Sequence, residues 1–363
     1  MYLTIPPHKP LQLARCGVLS VKALLAAVLA LVALTAVASA DPPQPAITQA
    51  PAATPSEKPE RVAVGVYVND IQEVEFPTHS YAIDFYVWFR WKSPSLDPSK
   101  SMEFMNRYAP TEHQRDSLLD KPKAMRDGSL YSVLREQGRF ATKFHLEKYP
   151  FDRQSLKIEL EDSLASTEDQ VYVPDQVPVL LNPNITLPGF QVGKPVMKID
   201  AHFYPTKFGD LTVPKDESYS RVTIEIPITR PLVTVTVKAF LPVLLIVICA
   251  SLIFFIMPSR VDGRIGLGIT ALLTLVALQL TASSALPEVG YLMLIDKIYL
   301  ASYAFIIAAL GRVVATSWSG EDGRSVEDVA RGDRMWAAIL LAGYAVAVAL
   351  SVAWTFKMLP GAR

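Results

Sequence analysis

Long apolar segments fill the C-terminal part of the chain. They cover residues 232–257, 265–286, 291–316 and 335–356, and each has about the 20 residues needed to cross the hydrocarbon core of a bilayer. We therefore predict a domain of four transmembrane helices within residues 231–357.

A stripe of small and hydroxyl residues runs along the second segment. A helix advances by about 100° per residue, which brings the members of this stripe onto one face. The members are Gly266, Thr270, Leu273, Ala277, Leu280, Thr281 and Ser284. The same geometry places Asp262 beside this face and Arg264 on the opposite side. Such a face either packs closely against a neighbouring helix or lines water, and the segment alone leaves both alternatives open.

Residues 61–230 show a different pattern, in which short runs of Val, Ile, Tyr, Phe and Trp are separated by Pro, Gly, Asp and Asn. In the run 220–229, Val222, Ile224, Ile226 and Ile228 alternate with Arg221, Thr223, Glu225 and Pro227. Alternation of this kind predicts a strand with one core face. Further strands are predicted at residues 62–71, 81–91, 139–146, 155–161 and 190–202, with a short helix at 112–119. The predicted fold class is an N-terminal all-β, immunoglobulin-like sandwich followed by an all-α transmembrane bundle.

The N-terminus has the pattern of an export signal. Basic residues precede an apolar run at 23–37, which ends in Ala38, Ser39 and Ala40. We predict a signal peptide over residues 1–40 that is cleaved before Asp41; the alternative is an uncleaved anchor helix. The proline-rich residues 41–60 cannot bury much apolar surface, so a disordered linker is predicted there.

Composition and charge narrow the function classes. The chain has 363 residues, 50% of them hydrophobic, and its 35 basic residues balance its 35 acidic residues, so a nucleic-acid partner is not indicated. Basic residues cluster at the turns that would be cytoplasmic, which places the N-terminal domain on the exported side. They are Arg260, Arg264, Arg312, Arg324, Arg331 and Arg334.

Signals for an enzyme are missing from the sequence. The histidines show no metal-ligand spacing with Cys or carboxylates, and no nucleophile elbow or phosphate loop occurs. The cysteines are Cys16, in the predicted signal peptide, and Cys249, in an apolar segment, so no intrachain disulfide is expected. We expect no enzymatic activity, no catalytic residues, no metal site and no cofactor.

If the stripe of the second segment lines water, the chain is predicted to form a pore. A single helix cannot enclose water, so several copies must surround an axis with their stripes inward. A ring of Asp262 carboxylates at the cytoplasmic mouth would then attract cations and act as the selectivity filter. A ring of Leu273 side chains would form an apolar constriction that gates by dewetting. In the packing alternative, Gly266, Thr270 and Ala277 form a small-residue seam instead.

Several motifs together resemble the pentameric ligand-gated ion channels, the Cys-loop receptor superfamily. They are RIGLGIT at 264–270, the helix end Leu286-Pro287, YPFDRQ at 149–154, Arg230, Pro242 and Trp91. Thr142 and Leu156 replace the loop cysteines, as in the bacterial branch. The resemblance covers about residues 61–356. It implies a homopentamer in a bacterial inner membrane, in contact with lipid, with sandwiches in the periplasm and pore-lining second helices.

The resemblance also implies ligand sites at subunit interfaces. The candidate positions are Tyr86, Trp88, Arg135, Asp162 and Tyr219. For each strand aromatic the alternative is an ordinary core residue. A small amine, an amino acid, a divalent ion or protons are all compatible with these residues.

Coupling between sandwich and membrane is expected at the signature loop, formed by Tyr149, Pro150, Phe151 and Asp152. Arg230 is predicted to pair with Asp152 and with Glu73 or Glu75. The turn after the second span, which contains Pro287, is predicted to receive the movement.

RIGLGIT resembles anion-conducting members, yet the Pro-Ala insertion of those members is absent and Val261, Asp262 and Gly263 stand there. We predict cation selectivity; the alternatives are an anion channel or a non-conducting membrane-anchored sensor.

Overall fold

The computed structural model describes residues 58–209, 218–317 and 325–357. The predicted signal peptide and most of the predicted linker lie outside the described residues, as do Arg324 and the hairpin that precedes Tyr219. The described chain forms two compact units. One contains the residues up to Ala239 together with Leu280–Gly290, and the other contains Phe240–Gln279 and the residues from Tyr291 onward.

The first unit is a β-sandwich of two sheets. One sheet has the strand order β4-β7-β2-β1-β9, with β5 and β6 also paired to β7, and the other has the order β10-β12-β8-β3, with β11 also paired to β12. Strands β1 and β9 are parallel, and the pairs β1 with β2 and β2 with β7 are antiparallel. The strands are β1 Glu60–Glu75, β2 Ser80–Trp91, β3 Met102–Phe104, β4 Arg107–Tyr108, β5 Gln114–Ser117, β6 Lys123–Ala124, β7 Leu130–Ala141, β8 Arg153–Asp162, β9 Gln170–Leu181, β10 Gln191–Val192, β11 Val196–Phe203 and β12 Ser218–Thr229.

Alternating apolar side chains from both sheets form the core of the sandwich. On β12 the predicted core face is fully buried, with at most 1% exposure at Val222, Ile224, Ile226 and Ile228. On β2, Phe85 and Phe89 are also fully buried. Because successive side chains on a strand point to opposite faces, the residues between these positions point outward, where polar side chains can cluster.

The predicted helix at 112–119 is wrong. The chain there makes a single 3-10 turn at Pro110–Glu112 and then strand β5, which pairs with β7. Backbone pairing to a neighbouring strand outweighs the weak local preference for helix. Strand β7 also begins well before residue 139, and the predicted strand at 190–202 is interrupted between β10 and β11.

Four helices of the described residues are long and apolar enough to cross a membrane, and most of their length lies in the second unit. They are α1 Leu232–Ser251, which continues into a 3-10 turn at Leu252–Phe254, α2 Val261–Ser283, α3 Leu294–Ser317 and α4 Val326–Lys357. A cluster of buried side chains, including Phe254, Val313 and Ala337, packs this unit together. The predicted fold class, a β-sandwich followed by a four-helix transmembrane bundle, is confirmed.

Candidate functional site

Helix α2 has one face packed against its own subunit and one face that is not. The packed face consists of Arg264, Gly268, Ala271 and Leu275, all buried. The predicted stripe lies on the other face, and every member is exposed: Asp262, Gly266, Thr270, Leu273, Ala277, Leu280, Thr281 and Ser284. The largest apolar side chains of the stripe, Leu273 and Leu280, are 63% and 67% exposed. The stripe is therefore not a packing seam within its own subunit.

The packed face brings α2 very close to its neighbours. A Cβ atom at Gly268 would lie 2.4 Å from Leu310 Cδ2 and 3.1 Å from Ile253 Cδ1. Only a residue without a side chain fits at this position unless Leu310 moves. The close contact fixes the rotation of α2 about its axis, and so it also fixes which face stays uncovered.

Charged residues in the first turn of α2 are separated as the helical wheel predicts. Asp262 is exposed on the side of the stripe. Arg264 is 1% exposed, and its Nη2 donates to Asp333 Oδ2 at 2.6 Å. The acidic group is thus available to water or to ions, whereas the basic group is enclosed within the subunit.

Hydroxyl groups on the exposed face are held by the backbone of the helix. Thr270 Oγ1 donates to the carbonyl oxygen of Gly266 at 2.8 Å, and Thr274 Oγ1 donates to that of Thr270 at 2.8 Å. Each hydroxyl oxygen keeps lone pairs that can accept from water or contact a cation. The face therefore combines fixed oxygen atoms with large apolar side chains. Both features are compatible with a surface that contacts water and has an apolar constriction.

In the sandwich, Tyr86 and Arg135 are cross-strand neighbours on β2 and β7. Arg135 donates from Nε and Nη2 to the carboxylate of Asp84 at 3.0 and 2.7 Å, and its guanidinium lies 5.6 Å from the Tyr86 ring centre. Burial opposes the charge on Asp84, but hydrogen bonds from Arg135 and Asn69 outweigh it and lower the pKa of Asp84 below its ordinary value. The cluster is therefore an aromatic side chain beside a neutralised ion pair.

Trp88 belongs to the same face of β2 and is bound to strand β9. Its Nε1 donates to Asp175 Oδ2 at 2.8 Å, and Arg90 Nη2 donates to the other oxygen at 2.6 Å. Burial raises the pKa of Asp175, yet the hydrogen bonds from Trp88 and the backbone and the charge of Arg90 lower it overall. The Trp88 ring lies over Gly65, where a Cβ atom would come within 2.2 Å of it. Asp175 was not among the predicted site residues because strand β9 was not predicted.

Asp162 is enclosed within the fold. It is 3% exposed, and its carboxylate accepts hydrogen bonds from Ser101, Gln170 and the backbone of Leu164 and Ala165. These donors occupy both oxygens, so within the subunit Asp162 stabilises a turn and has no free face for a ligand. We do not retain it as a ligand-binding candidate.

The neighbouring Glu161 organises the second sheet near Tyr219. It accepts hydrogen bonds from Arg221 Nε and from the Tyr204 hydroxyl, and Arg221 Nη2 contacts Tyr204 Oη at 3.0 Å. The Tyr204 and Tyr219 rings meet edge to face at 5.8 Å. Tyr219 thus belongs to an aromatic and charged cluster on the second sheet, whereas Tyr86, Trp88 and Arg135 lie together on the first.

Arg230, at the end of the sandwich, sits among three aromatic rings. Its guanidinium carbon lies 4.6 Å from the Phe190 ring centre, 4.7 Å from that of Phe76 and 5.1 Å from that of Tyr149. Its Nε donates to Asp152 Oδ1 at 3.1 Å, and Asp152 is buried. The predicted pairing of Arg230 with Asp152 is therefore present, and the aromatic surroundings were not predicted.

The second part of that prediction is wrong. Glu73 and Glu75 bind Arg139 instead, Glu73 at 3.1 Å from Nη1 and Glu75 through Nη2. Cross-strand geometry explains the difference, because Arg139 on β7 pairs with Ala82 on β2, which itself pairs with Glu73. The predicted strand began at Arg139, whereas this residue lies near the end of β7.

The remaining coupling candidates surround Arg230 or lie in the turn after α2. Pro150 is buried and Phe151 half-buried, and the Tyr149-Pro150 peptide bond is cis. Burial raises the pKa of the Tyr149 phenol, although the positive charge of Arg230 opposes this. Pro287 is also buried, in the segment Leu280–Gly290 that belongs to the sandwich unit.

Within the described residues, no group of three or more His, Cys, Asp or Glu side chains could hold a metal ion. The chemistry that these clusters offer is recognition by charge and aromatic surface, together with an exposed polar helix face.

Comparisons with known proteins agree with this arrangement. Residues 239–317 match the family described as the neurotransmitter-gated ion-channel transmembrane region. The gamma-aminobutyric acid receptor subunit alpha-2 of Bos taurus is 24% identical over 321 residues, which covers 79% of this chain and 68% of that protein. The subunit of the same name from Homo sapiens gives the same identity and coverage.

Proposed function

Because the chain belongs to the pentameric ligand-gated ion channels of the Cys-loop superfamily, we propose that it forms a homopentameric, cation-selective channel opened by a small ligand or by protons. The sandwich is the extracellular part of this membrane channel, and the four helices are its transmembrane part. The proposed location is a bacterial inner membrane, with the sandwich in the periplasm.

One observation carries the proposal, namely the exposed stripe of α2. Every predicted pore residue lies on the uncovered face, whereas Arg264, Gly268, Ala271 and Leu275 face the subunit's own helices. In a ring of subunits, this arrangement turns the stripe toward the central axis. Water in the pore can then solvate the Asp262 carboxylate and accept or donate at the remaining lone pairs of the hydroxyl oxygens, which lipid cannot do.

Asp262 is the proposed selectivity filter and Leu273 the proposed gate. Asp262 is exposed in the first turn of α2, so a ring of such carboxylates attracts cations at the cytoplasmic mouth. Leu273, 63% exposed near the middle of the helix, supplies an apolar ring that excludes water when the pore is narrow.

The proposed ligand site lies between neighbouring subunits. One subunit contributes Tyr86, Trp88 and Arg135 from its first sheet, and the next contributes Tyr219 from its second sheet. Aromatic faces and paired charges are compatible with a small zwitterion or amine. The matched receptor subunits are named for gamma-aminobutyric acid, so that amino acid belongs in the first ligand panel.

Ligand binding is proposed to reach the pore through the Arg230 cluster. Arg230 joins Asp152 and Tyr149 of the signature loop to Phe76 and Phe190 from two other loops, so these segments move together. The turn containing Pro287 receives that movement. A ligand that binds the open arrangement more tightly then shifts the population toward it.

Substituted cysteines test whether the stripe lines the pore. In a Cys249→Ala background, we compare Ala277→Cys on the stripe with Ala271→Cys on the buried face, which is the same substitution at a matched position. A charged methanethiosulfonate reagent should inhibit current through the first variant and leave the second unchanged. Equal modification of both variants would contradict the assignment of the face.

Two alternatives have distinguishable outcomes. An anion-selective channel is favoured by the positive charges of the buried Arg264 and the half-buried Arg312 near the first turn of α2. Such a channel would reverse the sign of the dilution potential. A non-conducting sensor would bind a ligand without passing current. Recordings from reconstituted protein during steps of pH, calcium, amines and amino acids separate these alternatives from the proposed function.

A further inference from the structure

Three helices of the second unit meet at a single buried carboxylate, that of Asp333 on α4. Arg264 Nη2 on α2 donates to Asp333 Oδ2 at 2.6 Å, and Arg312 Nε on α3 donates to Oδ1 at 2.9 Å. The side chains of Arg264 and Asp333 are each 1% exposed, and that of Arg312 is 20% exposed. We call these residues the Asp333 triad. Two guanidinium groups share one carboxylate, so the triad carries a formal charge of +1.

Further contacts fix the triad in place. Arg264 Nε donates to the carbonyl oxygen of Ile253 at 3.0 Å. The guanidinium carbon of Arg312 lies 5.8 Å from the Trp336 ring centre, and Gly332 leaves room for it, since a Cβ atom there would lie 3.1 Å from Arg312 Nη2. These partners hold both arginines in defined positions around the buried Asp333 carboxylate.

The triad lies directly behind the proposed filter. Asp262 and Arg264 belong to the same first turn of α2 and point to opposite sides, Asp262 exposed and Arg264 buried. A helix with its side chains is about 10–12 Å across, so each Asp262 carboxylate has a fixed positive cluster at roughly that distance. The field between them crosses protein rather than water, so salt screens it less than it screens surface charges.

We propose that Asp333 is a second determinant of charge selectivity, acting from α4 on the mouth of the pore. It neutralises the charge of one of the two arginines and holds Arg264 so that Asp262 faces the pore. The net charge of the triad then sets how strongly the Asp262 ring favours cations. This inference rests on the proposed role of Asp262 in the filter, and Asp333 acts as a positioning and electrostatic residue that does not touch the ion.

Two substitutions move the charge of the triad in opposite directions. Asp333→Asn raises it by one unit and should lower the ratio of sodium to chloride permeability by about three- to tenfold. Arg312→Gln leaves a neutral pair of Arg264 with Asp333 and should raise that ratio by a similar factor. Asp333→Glu keeps the charge and should leave the ratio near that of the unmodified channel.

The readout is the reversal potential of the full-length pentamer in NaCl dilution, with assembly checked by size-exclusion chromatography. Thr355→Val is the matched control, because Thr355 on the same helix contacts Lys297 at 3.1 Å and has no contact with the triad. It should leave the ratio unchanged. If Asp333→Asn does not assemble, Arg312→Gln alone carries the test, since it keeps the buried pair.

Unchanged ratios in Arg312→Gln and Asp333→Asn, or shifts of both in the same direction, would overturn the inference. Asp262→Ala, measured in parallel, separates the two proposals. A large shift in Asp262→Ala without any shift in the triad variants contradicts only the role of Asp333. No shift in Asp262→Ala contradicts the filter itself.

Discussion

Single residues in this protein acquire their roles from partners that are distant in the sequence. Asp84 and Arg135 are separated by 51 positions but form a two-point ion pair beside Tyr86. Trp88 is tied to Asp175 across 87 positions. Both pairs keep an aromatic ring and a charged group at fixed positions on the first sheet, where we propose that ligand is recognised.

The Asp84 pair should be insensitive to mild acid. The folded-state pKa of Asp84 is lowered, so its contribution to stability is complete above the unfolded value of about 3.9 and is lost as the pH falls through the folded value. We expect the difference in melting temperature between the natural protein and Asp84→Asn to be constant from pH 7.5 to 5 and to shrink only below about pH 4. Thermal unfolding of the detergent-purified chain measures this. A difference that collapses between pH 7 and 5 would make Asp84 a candidate proton sensor.

Leu273 should control opening through the wetting of the constriction. Leu273→Thr places a hydroxyl in the apolar ring, so the open, hydrated pore becomes more favourable. The half-maximal stimulus should fall by about fivefold or more. Leu272→Thr is the matched control, because Leu272 is a partly buried neighbour off the stripe. A shift to stronger stimulus in Leu273→Thr would remove Leu273 from the gate.

The uncovered face of α2 could be predicted from the sequence, whereas the partners of the ligand and coupling candidates could not, for a physical reason. The stripe depends only on helical periodicity along one segment, which is a local property. Asp162 could be judged only by its partners, and four donors from separate turns and strands occupy its carboxylate. The aromatic rings around Arg230 come from three different loops, so no short pattern could reveal them.

At the scale of elements, strands in which apolar and polar residues alternate regularly were easy to predict, and strands with an interrupted alternation were not. Strand β12 alternates without interruption and was predicted to within two residues of its observed start. Strand β7 lacks a regular apolar alternation, because the polar Ser132 and Glu136 are buried on the same face as Leu134. Strand β9 contains Pro174 and Pro178, and prolines within a segment argue against predicting a strand there.

The contact between α2 and α3 depends on Gly268. Gly268→Ala forces Leu310 aside and should reduce the stability of the assembled channel by about 1–3 kcal/mol. Leu310→Ala in the same chain should recover part of the loss, because it removes the clashing methyl group. Gly266→Ala is the control, since a Cβ atom there meets nothing within 4 Å beyond its chain neighbours and the backbone of its own helix. Thermal stability of the purified pentamer measures all three, and equal effects at the two glycines would contradict the close contact.

Substitution of Arg230 should reduce the stability and the activation of the channel more than substitution of Arg139, which binds Glu73 and Glu75. Arg230→Gln leaves the buried Asp152 without its ionic partner, at a cost of about 3–5 kcal/mol. Arg139→Gln frees Glu73 and Glu75, which are 60% and 40% exposed, and should cost about 0–1 kcal/mol. We expect only the first variant to need a stronger stimulus for activation. Similar activation curves would argue against coupling through Arg230.

At the scale of the whole molecule, the proposed channel combines the sandwich, as its recognition unit, with the four helices, as its conducting unit, in a symmetric assembly. The subunit alone leaves large apolar side chains exposed on its helices, among them Leu273 on α2 and Ile307 on α3. Neighbouring subunits, lipid and the pore provide the surroundings in which such surfaces are stable. In the proposed homopentamer, selectivity arises from a ring of identical Asp262 residues, which no single subunit can form.

Reversal potentials in NaCl dilution test the central claim most directly. When external NaCl is diluted, the natural channel should shift its reversal potential in the negative direction, as expected when sodium rather than chloride carries the current, and Asp262→Ala should reduce that shift. A positive shift in the natural channel, or an unchanged shift in Asp262→Ala, would contradict the assignment of a cation-selective filter to Asp262.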